Sequence, residues 1–256
     1  LPTRQGQSDL NLVLNIGHGD FPRVVLVPGD VEGLYYETFN AFNIADKYQL
    51  PVLVLSDKHL ASSVGSLSVF DDKGLAVDRG EIVLEDVENY KRFSVTKSGV
   101  SPRSIPGKGP VFNSSSDEHN EEGLIFEGAD NKVVMEDKRF RKLDALKKEL
   151  ALPKLHGSKN AEITLVSFGS TKAAILEAVE DLKNESVNVN FLQLVCVCPF
   201  PSEYVQSVLS KSKKIICIEE NKTGQLAGLI RRETGIEIKE KLLKYNGRAF
   251  FPSEIF

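Results

Sequence analysis

The sequence predicts an α/β protein made of parallel-sheet βα layers that ends in a doubly wound unit. Three observations carry that prediction. Its strand-like runs are apolar without polar alternation, their turn-rich ends open helices with a 3.6-residue repeat, and the two patterns alternate regularly toward the C-terminus.

Taken in order, Val24 to Val27 form the first apolar run, and Pro28, Gly29 and Asp30 form a turn. A helix follows, with Leu34, Tyr35, Phe39, Phe42, Ala45 and Tyr48 at helical spacing. "PVLVLSD" is the second strand; it has no polar face, as expected where helices cover both sides of a parallel sheet. Between Lys58 and Asn131 turn chemistry dominates ("DDKG", "KSGVSPRSIPGKGP", "NSSSDEHNEEG"), and so long an irregular stretch reads as the route between two domains. The expected division is residues 1–131 and 132–256.

"MEDKRFRKLDALKKELA" predicts a solvated amphipathic helix, with Met135, Phe140, Leu143, Leu146 and Leu150 assigned to its apolar face. From Ala161 onward three βα pairs are legible. They are "EITLVSFGS" with "TKAAILEAVEDLKNES", "VNVNFLQLVCVCPF" with "PSEYVQSVLS", and "KKIICIEEN" with "GQLAGLIRRETG", the last helix closing on Gly235. "KLLKYNGRAFFPSEI" reads as an edge strand and a turn.

Composition excludes several classes of function. A formal net charge of -4 lacks the basic footprint that phosphate-backbone binding requires, so no nucleic-acid partner is expected. No apolar run reaches the ~18 residues of a membrane span, and no signal peptide opens the chain. Three cysteines, Cys196, Cys198 and Cys217, all in apolar settings, suit a reducing compartment, and a cytoplasmic location is expected.

Several stretches invite chemistry. In "SFGSTKAA", Gly169, Ser170 and Thr171 end a strand and open a helix, which suits either an ordinary N-cap or an anion site, without P-loop or Rossmann spacing. In "VCVCP", Cys196 and Cys198 alternate on one strand and could share an ion, but no second ligand pair accompanies them, so core packing is expected. "DEHNEEG" gathers Asp117, Glu118, His119, Glu121 and Glu122, either as a divalent-cation loop or as a solvated acidic loop; it has no EF-hand spacing. "EENKTGQLAG", with Gly224 as hinge, reads as structural or interface-forming. His59 and His156 have no sequence partners and default to surface or satisfied positions. His18, between two glycines in "GHGD", is either a hydrogen-bonded turn residue or a proton shuttle.

The ordered series "LPTRQGQSDL", "GHGDFPRVVLVPGD", "AFNIADKYQLPVLVLSDK", "SPRSIPG", "DEHNEEG" and "YNGRAF" resembles the α subunit of archaeal-type 2-oxoacid:ferredoxin oxidoreductases through nearly the whole chain. The resemblance implies the later part of a thiamine-diphosphate-binding, pyrimidine-type domain, followed by a transketolase C-terminal-like domain. It also implies CoA-dependent oxidative decarboxylation of a 2-oxoacid to acyl-CoA and CO2, with electrons passing to ferredoxin. The substrate carboxylate would meet Arg4, with Thr3 beside it; the catalytic candidate His18 rests on its own setting in "GHGD" and not on the resemblance. Thiamine diphosphate, Mg2+ and the 4Fe-4S cluster would be held mainly by a β subunit, and none by this chain alone.

In such enzymes a Y-P-I-T-P stretch and a carboxylate meeting the aminopyrimidine lie upstream of "LPTR", and neither occurs here. With no starting methionine, the expectation is a fragment, a nicked subunit or a split gene product that needs the upstream part of the α subunit as a partner. The competing reading is a non-catalytic regulatory module of transketolase-like ancestry that binds an anion or nucleotide through "FGST".

Overall fold

The computed structural model describes residues 3–67 and 69–256. Helix α1 (Leu10–Asn15) leads into β1 (Val24–Leu26), α2 (Val31–Tyr48), β2 (Val52–Val54) and the single turn α3 (Lys58–Ala61). Asp30 starts α2 by accepting the Gly33 N–H at 2.7 Å, and Asp57 starts α3 by accepting that of Leu60 at 3.0 Å. The chain continues through β3 (Ile82–Val83), β4 (Arg103–Ser104), α4 (Ala129–Glu149) and β5 (Lys154–Gly157). Then come β6 (Ile163–Phe168), α5 (Lys172–Asn184), β7 (Val189–Leu194), β8 (Cys196–Cys198), α6 (Ser202–Leu209), β9 (Lys214–Glu219), α7 (Gln225–Thr234) and β10 (Glu240–Leu243).

Two sheets organise these elements. One runs β2-β1-β8, with β1 and β2 parallel; the other runs β10-β9-β6-β7-β5, parallel except for the antiparallel edge strand β5. α5 packs on one face of the larger sheet, with Ala174, Ile175 and Val179 against Leu165, Phe191 and Ile218. On the other face, Val205 and Leu209 of α6 and Leu226, Leu229 and Ile230 of α7 join a core that also takes in Val25 and Val27 of the smaller sheet. This is the α/β architecture that the apolar runs predict.

Three expectations need correction. The run 187–200 is not one strand: β7 stays in the larger sheet, and β8 crosses over to pair antiparallel with β1. A strand-forming run names no destination, because both cores accept its apolar side chains equally well. The apolar face assigned to α4 is also different, since Met135, Lys138, Lys142 and Leu146 are buried whereas Phe140 is exposed. Five residues separate Phe140 from Met135, which turns it about 140° around the helix. Lysine stems complete the buried stripe, and the Lys142 amine donates to the Gln49 carbonyl at 2.8 Å. In α2, Phe42 also faces solvent.

Between α3 and α4 the irregular stretch carries the short parallel pair β3 and β4, with local polar bonds around it. The Tyr90 hydroxyl donates to the Pro102 carbonyl and accepts the Ser104 N–H, both at 2.8 Å. Arg79 and Arg103 both pair with Asp46 of α2, at 3.1 Å each. Gly99, with φ +78, lies so close to α4 that a Cβ there would stand 2.3 Å from the Lys138 carbonyl oxygen. Gly99→Ala is therefore expected to lower stability by about 2 kcal/mol or more, read as a drop in the thermal midpoint.

Candidate functional site

Strand β6 has β7 on one side and β9 on the other, so the chain winds outward and then back, and the direction reverses between β6 and β9. Loops leaving the carboxyl ends of such strands diverge and open a crevice. Here the turn Gly169–Thr171 leaves β6, Glu220 and Asn221 leave β9, and Asp57 follows β2 of the smaller sheet.

Residues 5–7 thread through this convergence. The Gln7 N–H donates to the Glu220 carbonyl at 2.8 Å, and the Glu220 N–H donates back to Gln7 Oε1 at 3.2 Å. Gln7 Nε2 reaches the Phe168 carbonyl at 2.9 Å, and Asn221 Nδ2 donates to the Gln7 carbonyl at 3.2 Å. Gln5 Nε2 donates to Glu220 Oε2, and Gln5 Oε1 accepts the His59 N–H at 2.6 Å. Gln5 thus ties the end of β9 to α3, and Gln7 ties it to the end of β6.

Above this floor lies an open cleft of about 440 Å³ between three walls: Thr3 to Gln5, the α3 region from Lys58 to Val64, and Gly247 to Ala249. Thr3, Arg4, Lys58, His59 and Arg248 are exposed, and the lining contains no carboxylate. Among the described residues Arg4, Lys58 and Arg248 make no ion pair. Arg4 Cβ packs beside Gly247, where an added Cβ would lie 3.2 Å from it. Low-dielectric walls of one sign concentrate the field and favour an anion.

His18 stands apart from this cleft. It is exposed in the turn that feeds the amino end of β1, whereas the cleft lies beyond the carboxyl end of the parallel strand β2. Arg23 holds that turn by stacking over Phe21 at 4.0 Å and donating to the Ile16 carbonyl at 2.6 Å. His59 and His156, expected at surface or satisfied positions, are respectively exposed on the cleft and bonded to Gln193 Oε1 at 2.9 Å.

The remaining motifs resolve through tertiary partners. The Ser170 N–H donates to Asp57 Oδ2 at 3.2 Å, so the chain's own carboxylate occupies the place where "FGST" would receive an anion. Thr171 stands at the N-cap of α5, but its hydroxyl donates to the Phe168 carbonyl at 2.8 Å and makes no cap bond to the helix. Cys196 lies in the core with α2 and α4, and burial pushes its thiol up to about 12; Cys198 packs on the other core. In "DEHNEEG", Glu118 receives Arg139 through both oxygens, at 2.6 and 3.1 Å, and Glu121 accepts Lys91 at 3.0 Å and the Val95 N–H at 2.8 Å. Glu118 is thus spent on clamping the loop to α4, and Glu121 on tying it to the segment 91–95. Among the described residues no three His, Cys, Asp or Glu side chains come together to hold a metal.

Sequence reasoning missed Gln5, Gln7, Asp57, Lys58, Glu219, Glu220 and Arg248. Glu219, fully buried, accepts the Leu226 N–H at 2.7 Å and that of Ala227 at 3.1 Å, neutralising the start of α7. The available signal was the doubled acid in "IICIEEN". Two carboxylates that directly follow a buried strand in a doubly wound sheet stand where crevices form.

Residues 1–138 match the family described as pyruvate flavodoxin/ferredoxin oxidoreductase, thiamine diphosphate-binding, and residues 161–255 match pyruvate:ferredoxin oxidoreductase core domain II. The 2-oxoacid:ferredoxin oxidoreductase 2, subunit alpha, of Aeropyrum pernix is 38% identical over 260 residues, covering 100% of this chain and 40% of that relative. The 2-oxoglutarate synthase subunit KorA of Methanothermobacter thermautotrophicus is 27% identical, covering 99% of this chain and 67% of its own length. A solved 2-oxoglutarate:ferredoxin oxidoreductase from Magnetococcus marinus, with 2-oxoglutarate, coenzyme A and succinyl-CoA bound, superposes with a TM-score of 0.91 at 31% identity, covering 100% of this chain and 45% of that one. The chain thus spans about two fifths of the length of the alpha subunits it matches at 35% identity or more. Among the described residues no helix is long and apolar enough to cross a membrane.

The acidic loop has its own pH signature. Arg139 beside Glu118 holds that carboxyl down at about 2 despite partial desolvation, with Lys132 assisting. The folded value lies below the unfolded one, so the stabilisation is present above the ordinary carboxylate range and is lost as pH falls toward 2. Glu118→Gln is expected to lower the thermal midpoint at pH 7 by ~2–4 °C, for about 1 kcal/mol, and to converge with the wild type near pH 2.

Proposed function

The chain belongs to the pyruvate flavodoxin/ferredoxin oxidoreductase family, and from that premise we propose that it forms part of the α subunit of a 2-oxoacid:ferredoxin oxidoreductase. The reaction proposed is oxidative decarboxylation of a 2-oxoacid such as pyruvate or 2-oxoglutarate with coenzyme A, giving acyl-CoA and CO2 and passing electrons to ferredoxin. The observation that carries this reading is the open cleft lined by three permanent cations and no carboxylate, with Arg4 and Thr3 on one wall.

Arg4 takes the carboxylate of the 2-oxoacid, because a planar guanidinium receives both oxygens and fixes their plane as an ammonium does not. Thr3 contributes its hydroxyl beside it. Decarboxylation discharges the group that Arg4 holds, so a full-strength ion pair would stabilise the ground state more than the transition state. Arg4 therefore selects and orients the substrate. His18 has no part in this proposal, since it lies outside the cleft.

Thiamine diphosphate, Mg2+ and a 4Fe-4S cluster are proposed to be held by a partner β subunit, with the upstream part of the α subunit completing the site. The donor set of this chain supports that division, because its thiols lie in apolar cores and Glu118 and Glu121 of the acidic loop are already paired with cations. Three free thiols suit the cytoplasm. Residues 1–131 and 132–256 are proposed as the two units of the chain. A regulatory module that binds an anion or nucleotide through "FGST" is disfavoured, because Asp57 takes the Ser170 N–H.

Arg4→Ala, in the assembled complex, is expected to raise KM for charged 2-oxoacids by about 10- to 100-fold, as loss of hydrogen bonds to a charged group implies, with kcat affected much less. Arg4→Lys should recover only part of that loss. Wild-type KM and kcat in both variants would remove Arg4 from the substrate site.

A further inference from the structure

We propose that Glu220 is the positioning residue of the cationic cleft: its buried carboxylate fastens the wall that carries Arg4 to the wall that carries Arg248, and so sets from beneath the orientation in which an anionic substrate is received. The inference rests on the reading of Arg4 as the carboxylate-binding residue.

The geometry is that of a two-sided clasp. Glu220 is 3% exposed and directly follows β9. One carboxylate oxygen, Oε2, takes the Gln5 amide on the Thr3 to Gln5 wall. The other, Oε1, takes the Phe250 N–H at 3.1 Å, directly beyond the Gly247 to Ala249 wall. Gln5 passes the restraint on to the third wall by accepting the His59 N–H. All three walls are thus tied, directly or through Gln5, to one side chain that does not itself line the cleft. Arg4 is next to Gln5 in sequence and packs against Gly247, so a slip of either wall moves the guanidinium.

Only neutral donors hold this carboxylate. Desolvation pushes Glu220 up to about 7; the charge of Asp57, at the corner after β2, acts in the same direction, whereas the Gln5 and Phe250 bonds and Lys244, after β10, pull it down. The ionised group accepts on both oxygens. Once protonated, it turns one oxygen into a donor, and Gln5 and Phe250 then compete for the acceptor that remains. The clasp therefore tightens as pH rises through about 7 and loosens below it.

The test is steady-state kinetics of the assembled complex with pyruvate or 2-oxoglutarate between about pH 6 and 8. For the wild type, KM should rise as pH falls through about 7. Glu220→Gln keeps the size of the side chain but replaces one acceptor with a donor; it should raise KM about tenfold at pH 8, leave kcat within about twofold, and flatten this pH dependence. Gln5→Ala, which removes the donor instead, should raise KM similarly, and the double variant should be no worse than either single one, because both break the same link. A wild-type KM in Glu220→Gln, or a pH profile parallel to that of the wild type, overturns the proposal. Should Glu220→Gln fail to assemble, Gln5→Ala carries the same test. A KM that rises in Arg4→Ala but in neither of these variants removes the positioning role alone, whereas an unchanged KM in Arg4→Ala removes the substrate reading itself.

Discussion

Two sheets with separate hydrogen-bond ladders meet in this chain, and at the carboxyl ends of their strands they are joined by a strip three residues long. Gln7 is buried there and bonds at once to the end of β6, to Glu220 and to Asn221. Each group it satisfies would otherwise be an orphaned polar atom in a dry setting, which costs far more than a single hydrogen bond yields. The cleft above is therefore built on a floor that cannot be lost one bond at a time.

That floor also sorts the charges. Glu219, Glu220 and Asp57 are engaged by N–H groups of α7, of the loop at Phe250, and of the turn after β6. Arg4, Lys58 and Arg248 are left exposed, without an ion pair among the described residues. A chain with a net charge of -4 thus presents a strongly cationic recess, because its local field follows the placement of charges and not their sum.

Pairing decides function at the motifs that looked richest in sequence. In "DEHNEEG", Glu118 clamps the loop onto α4 and Glu121 ties it to Lys91 and Val95. On the same helix, Lys138 and Lys142 lie buried and desolvation lowers both to about 8, although their spacing reads as a solvated face. A density of titratable residues says that charge is present; only the neighbours say whether it is free to act.

Much of the fold was legible. Unalternating apolar runs can be covered on both faces only by helices, and the helix starts at Asp30 and Gly235 as a stop follow from local capping chemistry, which needs no distant partner. Arg4 and Thr3 were visible through the residues around them, but Lys58, His59 and Arg248, which share their cleft, come from separate stretches that no local pattern connects. The sequence by itself determined which segments become strands and helices, because backbone geometry and the burial period act over a few residues. Only the tertiary structure decided that β8 leaves its own run for the other sheet, that Asp57 fills the turn after β6, and that Glu220 takes the amide of Gln5, the neighbour of Arg4, because these depend on which distant groups remain unsatisfied once the cores have closed.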